Sequence, residues 1–275
     1  MAEVNIDNET LRKLQLTQKT ILDEVVRVCE ENDITYYLAY GTLLGAVRHK
    51  GFIPWDGDLD IWIKRDEYEK FVRIAPEKLL DGFCFINWDN QKEYGLCFGK
   101  VMKKGTVYTE QNAPENNGWG IFIDIFPLDG IGEKAFNNKA LTNRYFLLKR
   151  MLLAKCGYRV AKTFKAKLVM GVVKMQSMLY TKASLIKKIK KEEERLSLTG
   201  SEYLTTICGS AIGRTFTKKM KSEWFDSVVK LEFEGSMYSC PKNYKEVLTE
   251  EYGDYMQLPP EEKRHDHHGI MQLKF

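Results

Sequence analysis

The stretch that most constrains this chain is Trp55-Asp56-Gly57-Asp58-Leu59-Asp60-Ile61-Trp62-Ile63, with three aspartates at alternate positions. Alternate residues of a β-strand project from one face. A strand over 58–63 therefore sends Asp58 and Asp60 one way and Leu59, Ile61 and Ile63 the other, into a core. The two carboxylates then lie about 7 Å apart at Cα. Aspartate is depleted in strands, and flanking Leu59, Ile61 and Trp62 make a merely solvated edge an odd use of this composition. Two carboxylates on one face repel unless a cation sits between them. A hard divalent ion, Mg2+ or Mn2+, takes oxygen ligands and keeps open positions for substrate phosphates. The segment reads as the metal-binding edge of a phosphoryl- or nucleotidyl-transfer site.

A third carboxylate, Asp124, is centred in the apolar run Phe122-Ile123-Asp124-Ile125-Phe126. An unpaired charge there is costly, so a metal or cationic partner is expected, and the residue serves as metal ligand or general base. The alternative is a buried aspartate satisfied by local hydrogen bonds. Gly41 and Thr42 follow a β-rich segment, 34–40, and open a helix. Thr42 can cap it, and its first N–H groups can face a phosphate. Arg48, His49 and Lys50 add positive charge there, or form a solvated helix end. Lys100, in a strand over 95–103, is a phosphate contact or an edge lysine that discourages aggregation. Near the C-terminus, Arg264, His265, His267 and His268 follow Pro259-Pro260. Their spacing is wrong for a zinc motif. Arg264 or His268 holds donor phosphate or acceptor, or the segment is a solvated tail.

The periodicities place a helix over 9–31, strands near 83–88, 95–103 and 119–126, and helices through 133–197. Asp66 reads as the N-cap of a helix closed by Pro76, and Pro241 as the first turn of a helix ending at Gly253. The class is α/β (α+β), a mixed sheet flanked by helices; the pattern Gly41-Thr42, Asp58-Leu59-Asp60-Ile61 and Asp124 resembles that of the nucleotidyltransferase fold. The chain divides into a core (1–132), a basic helical insertion (133–200) and a C-terminal segment packing back on the core (201–275). At 44% hydrophobic and 29% charged residues it is a globular chain, not a disordered one.

Residues 135–191 contain fifteen Lys or Arg and no Asp or Glu. With interleaved Phe, Leu, Val and Met, that block reads as a surface for an anionic membrane or lipid-linked glycan. No nucleic-acid motif accompanies it, so nucleic acid is not the expected partner. The N-terminus is polar and acidic, no apolar run is long enough to span a bilayer, and six cysteines are scattered without a CxxC. These features predict reduced thiols and a cytoplasmic protein, peripheral at the inner face of the membrane.

Three longer words, YGTLLGAVRHKGFIPWDGDLDI, IFIDIFPLD and EEYGDYMQLPPEEKRHDHH, resemble the LicD family, which shares its core with fukutin-related enzymes. The resemblance covers residues 20–130 and 240–268 and is weak between them. It implies transfer of phosphocholine, or a related phospho-head group, from a CDP-linked donor to a hydroxyl of a cell-surface glycan or its lipid-linked precursor, with CMP released. Asp58, Asp60 and Asp124 would carry the chemistry and the metal, and Gly41, Thr42, Arg48, Lys100, Arg264 and His268 the donor. The family's usual Trp-Asp-Asp-Asp pattern is broken here by Gly57, which leaves the alternating aspartates in place. Two rivals use the same residues differently. A true nucleotidyltransferase would leave NMP on its product and release pyrophosphate. A non-catalytic polyanion- or membrane-binding protein would rest on the basic block alone.

Overall fold

An apolar stripe folds Asn8–Glu31 into helix α1, whose Leu14, Ile21, Leu22, Val25 and Val28 are fully buried. Asp7 caps it, accepting from Thr10 N at 2.8 Å. The structure, a computed structural model, describes residues 6–115, 117–159, 163–209, 215–265 and 269–275. The chain continues through β1 (Tyr36–Leu38), α2 (Tyr40–His49), β2 (Asp60–Lys64), α3 (Arg65–Lys78), β3 (Phe83–Ile86), β4 (Gly99–Lys103), β5 (Val107–Glu110) and β6 (Phe122–Ile131). Helices α4 (Lys139–Lys155), α5 (Phe164–Ser177) and α6 (Lys182–Leu196) follow. The chain closes with β7 (Tyr203–Thr205), β8 (Met220–Lys221), β9 (Val228–Phe233), β10 (Ser236–Pro241), α7 (Tyr244–Tyr252) and β11 (Ile270–Lys274).

The main sheet runs β1-β2-β6-β4-β3, and β7, carrying β8, pairs with the distal half of β6. Among the described residues only the β2–β6 ladder is parallel and the other ladders are antiparallel, so the fold is α+β with a mixed sheet. β9–β10 and β5–β11 are separate two-stranded ladders. Leu59, Ile61 and Ile63 enter the core as alternation requires. Residues of all three predicted segments, from Leu14 through Leu152 to Val247 and Ile270, join one continuous apolar cluster.

Several expected boundaries move. The strand begins at Asp60, not 58, because Asp58 precedes the ladder that β2 forms with β1 and β6. Thr42 lies inside α2 rather than capping it; the N-cap is Ala39, which has no side chain to serve. Likewise α3 starts at Arg65 and carries Asp66 in its first turn and Pro76 within it. Pro241 ends β10 instead of opening a helix. Lys100 is no edge lysine, since β4 lies between β3 and β6. β6 is ten residues long, and its far end carries buried Asp129, held by Arg65 through Nε at 2.6 Å and the second guanidinium nitrogen at 3.0 Å.

The basic insertion is not a uniform charged surface. Lys149 Nζ donates to the Cys208 carbonyl, Lys155 to Ser177 and Lys182 to Trp88 and Gln91. Arg144, Arg159 and Lys190 pair with Glu192, Glu115 and Asp89. By contrast α5 is largely exposed, with Lys165, Lys167 and Lys174 beside an apolar set of side chains. No helix among the described residues is long and apolar enough to cross a membrane. All six cysteines are free, and five are buried.

Candidate active site

The parallel pairing of β2 with β6 sets Asp60 directly beside Asp124. The antiparallel pairing of β6 with β4 sets Asp124 beside Lys100. Three charged residues thus form one row across three adjacent strands, and registered neighbours share a face of the sheet. Lys100 Nζ lies 2.5 Å from Asp124 Oδ1 and 3.9 Å from Glu110 Oε2, and its ammonium sits 3.4 Å from the centre of the Phe122 ring. Lys100 is 1% exposed and Asp60 8%. Burial pushes the Asp124 carboxyl up to about 6; Lys100 opposes the rise, and the charges of Glu110 and Asp58 add to it. The influence of Asp58 places its carboxylate in the same neighbourhood, just ahead of β2.

The loop that carries Asp56 and Asp58 is held from both sides. On α1, Gln15 and Gln18 occupy positions in the apolar stripe and are nearly inaccessible. Gln15 Nε2 donates to the Asp56 carbonyl at 2.9 Å, and Gln18 Nε2 to those of Gly57 at 2.9 Å and Phe122 at 3.2 Å. From α2, Thr42 Oγ1 accepts from Asp60 N at 2.9 Å. Gly41 leaves room for its neighbour: a Cβ there would stand 2.8 Å from Asp56 Oδ2. The anion nearest the α2 N-terminus is therefore Asp56, and Gly41 and Thr42 shape the aspartate loop.

The remaining predicted residues form a rim. Arg48 donates through Nη1 to the Tyr255 carbonyl and through Nε to His49 Nε2, both at 3.0 Å. His49 packs edge-on to Trp55. Arg264 sits 5.8 Å from the Trp55 ring centre and donates through Nε to the Pro259 carbonyl. Both arginines therefore flank the tryptophan that leads into Asp56. His268, with Asp266 and His267, lies outside the described residues.

Four residues of this neighbourhood escaped sequence reasoning: Gln15, Gln18, Glu251 and Tyr252. Burial first, then the charges of Glu251, Asp60, Asp56 and Asp58, raises the pKa of the Tyr252 phenol. The end of α7, which packs against α2, thus lies within electrostatic reach of the three aspartates. The EEYGDY word marks the last two; the glutamines carry no local signal that separates them from solvated positions.

The donor set Asp58, Asp60 and Asp124 is all carboxylate oxygen, gathered on one sheet edge with its negative charge converging on Tyr252 and Asp124. That chemistry suits a hard divalent cation. Among the described residues, no three His, Cys, Asp or Glu side chains are grouped closely enough to hold a metal ion as they stand. Lys100 contributes positive charge here.

Residues 33–151 match the family described as LicD/FKTN/FKRP, nucleotidyltransferase domain. The chain is also 31% identical over 261 residues to the lipopolysaccharide cholinephosphotransferase LicD of Haemophilus influenzae, covering 94% of this chain and 96% of that protein. An uncharacterised protein of Rickettsia prowazekii is 30% identical over 115 residues, covering 40% of this chain and 42% of that protein. The protein belongs to the LicD family.

Proposed function

We propose that this protein transfers a phosphocholine head group from CDP-choline to a hydroxyl of a cell-surface glycan or its lipid-linked precursor. The observation that carries the reading is the in-register row Asp60–Asp124–Lys100 with Asp58 beside it, in a chain similar end to end to a lipopolysaccharide cholinephosphotransferase. The acceptor oxygen forms a bond to the phosphorus that bears choline. The bond from that phosphorus to the bridging oxygen breaks, CMP leaves with the electron pair, and the hydroxyl proton is released. Asp124, with Oδ1 held by Lys100, accepts that proton on its other oxygen. Lys100 keeps the carboxylate oriented and balances charge in the row. Gln15, Gln18 and Thr42 hold the Asp56–Asp60 backbone so that the carboxylates need not reorganise during the reaction. Asp58 and Asp60 are the residues that would hold a divalent ion, which leaves the second oxygen of Asp124 for the proton. When bound, such an ion neutralises the diphosphate and steadies the leaving group.

Helix α5 gives this enzyme a way to reach a membrane-borne acceptor. Phe164 (78% exposed), Met175 (71%) and Leu179 (83%) project with Leu168, Val169, Val172 and Met178 next to Lys165, Lys167 and Lys174. Apolar side chains among lysines suit an anionic headgroup layer.

Incubation with CDP-choline, CDP-ethanolamine and CDP-glycerol, followed by mass spectrometry of the glycan, tests the reading. A phosphocholine adduct with CMP is expected; an NMP adduct with pyrophosphate would replace it with nucleotidyl transfer.

A further inference from the structure

A cavity of about 250 Å3 opens between the start of α2, β6, α4, β7 and the end of α7. At roughly 30 Å3 per water it has room for several waters or one compact organic group. Aromatic rings supply much of its wall: Tyr40, Phe126, Phe146 and Phe216. Tyr40 meets Phe126 edge-on at 5.5 Å, and Phe146 lies 5.4 Å from Phe216. Glu251 is the acidic residue of the lining. Its carboxyl is pushed up to about 7 by burial, and its charge reaches the Tyr40 phenol. Lys218 also lines the cavity, but its ammonium donates to the carbonyls of Glu250 and Glu251 at 2.6 and 2.7 Å, closing the last turn of α7. Among the described residues no cation forms an ion pair with the Glu251 carboxylate.

Three elements tie this cavity to the chemistry. Tyr40 precedes Gly41, which sits against Asp56. Glu251 precedes Tyr252, which lies within electrostatic reach of Asp56, Asp58 and Asp60. Phe126 stands two residues after Asp124 on β6, on the same face. Tyr40 holds its place at a cost: φ is +41°, a conformation that bulky residues rarely adopt. Its hydroxyl donates to Thr206 Oγ1 at 2.8 Å, and its ring packs 4.8 Å from Trp62. Aromatic faces beside the partly buried Glu251 carboxylate, which has no ion pair among the described residues, form a receptor for a desolvated organic cation.

Resting on the phosphocholine-transfer reading, we propose that this cavity seats the quaternary ammonium of the transferred group, with Glu251 and the aromatic wall selecting choline over uncharged alcohols. The phosphate then extends from the cavity toward the aspartates, with Tyr40 and Tyr252 at the boundary between the two.

Binding without turnover tests it. Calorimetry on the wild-type chain compares phosphocholine with 3,3-dimethylbutyl phosphate, which has the same shape and no positive charge. The analogue without the cation should bind about 10-fold more weakly or worse, the size expected for loss of a desolvated cation–π contact. In Glu251→Gln that ratio should fall toward one, and Phe216→Leu should lower it in part. Circular dichroism of each variant checks folding, and the wild-type ratio depends on no variant. Equal wild-type affinity for the two ligands, no measurable binding of either, or an unchanged ratio in folded Glu251→Gln overturns the proposal. The two readings fail separately. A ratio that collapses in the variant, without transfer from CDP-choline, keeps the head-group subsite and removes the donor assignment. Transfer from CDP-choline with a wild-type ratio of one does the reverse.

Discussion

The aspartates act through residues that carry no charge of their own. Gln18 joins α1 to two strands' worth of backbone, bonding both Gly57 and Phe122 carbonyls. Replacing it by leucine keeps the apolar stripe but leaves those acceptors without a donor, a loss of about 1–3 kcal/mol. Gln18→Leu should lower the denaturation midpoint and, in the protein that remains folded, cut turnover about 10-fold or more, since small misplacements of reacting groups are costly. Normal turnover would show that the clamp is dispensable. The strand position of Asp60 and the isolated charge of Asp124 were legible in the sequence, because period-two patterning and a charge among isoleucines both have a physical meaning within a few residues; Asp58 falls ahead of the strand instead of on it. The glutamines were not legible, because a polar residue in an amphipathic stripe looks the same whether it faces solvent or a loop carbonyl. Nor was the Lys100–Asp124 contact, which depends on which strand neighbours which.

At the scale of elements, the insertion contains two different kinds of helix. α6 docks inward, burying Glu193, whose carboxylate accepts from the Tyr145 hydroxyl at 3.2 Å. Burial pushes Glu193 up to about 7 from 4.5, against the opposing charge of Arg65. The folded chain therefore holds a proton here that the unfolded chain releases, so this group favours folding below about pH 4.5 and that contribution is lost as pH rises through 7. Glu193→Gln preserves an acceptor for Tyr145 without the charge. It should raise the melting temperature at pH 8 by several degrees, from on the order of 2–3 kcal/mol, and much less at pH 5. An equal shift at both pH values would contradict the assignment. α5 faces outward, and its test is lipid. Vesicles with anionic headgroups should bind the wild-type chain at low salt and release it as salt rises. Lys165→Glu with Lys167→Glu should weaken that binding several-fold while CMP release on a small soluble acceptor is retained; equal loss of both would assign the helix to folding or chemistry. The acid-free block 135–191 was visible in the sequence, but its division was not. Which lysines meet carbonyls and carboxylates depends on packing between segments nearly 100 residues apart, such as Lys182 with Trp88. The β5–β11 ladder, joining residues 107–110 to 270–274, was hidden for the same reason.

Across the whole molecule, the sheet sets three charged residues in register, α1 and α2 fix the loop that feeds them, and the C-terminal segment returns α7 and Arg264 to the same rim. This convergence from residues 15 to 264 explains why similarity to a relative extends over 94% of the chain rather than stopping with the sheet. The class of fold followed from the sequence because the strong periodicities are local; Arg264 was expected through the family resemblance, but Glu251 and Tyr252 were not, because they reach this neighbourhood only through tertiary packing. The most direct measurement is CMP release from CDP-choline with a glycan acceptor, made on wild-type and Asp60→Asn protein, each with Mg2+ and with chelator. Wild-type protein with Mg2+ should release CMP in step with phosphocholine added to the glycan, and chelator or Asp60→Asn should each reduce this by orders of magnitude. Undiminished release in chelator, or in folded Asp60→Asn, would contradict a carboxylate-centred, metal-assisted transfer.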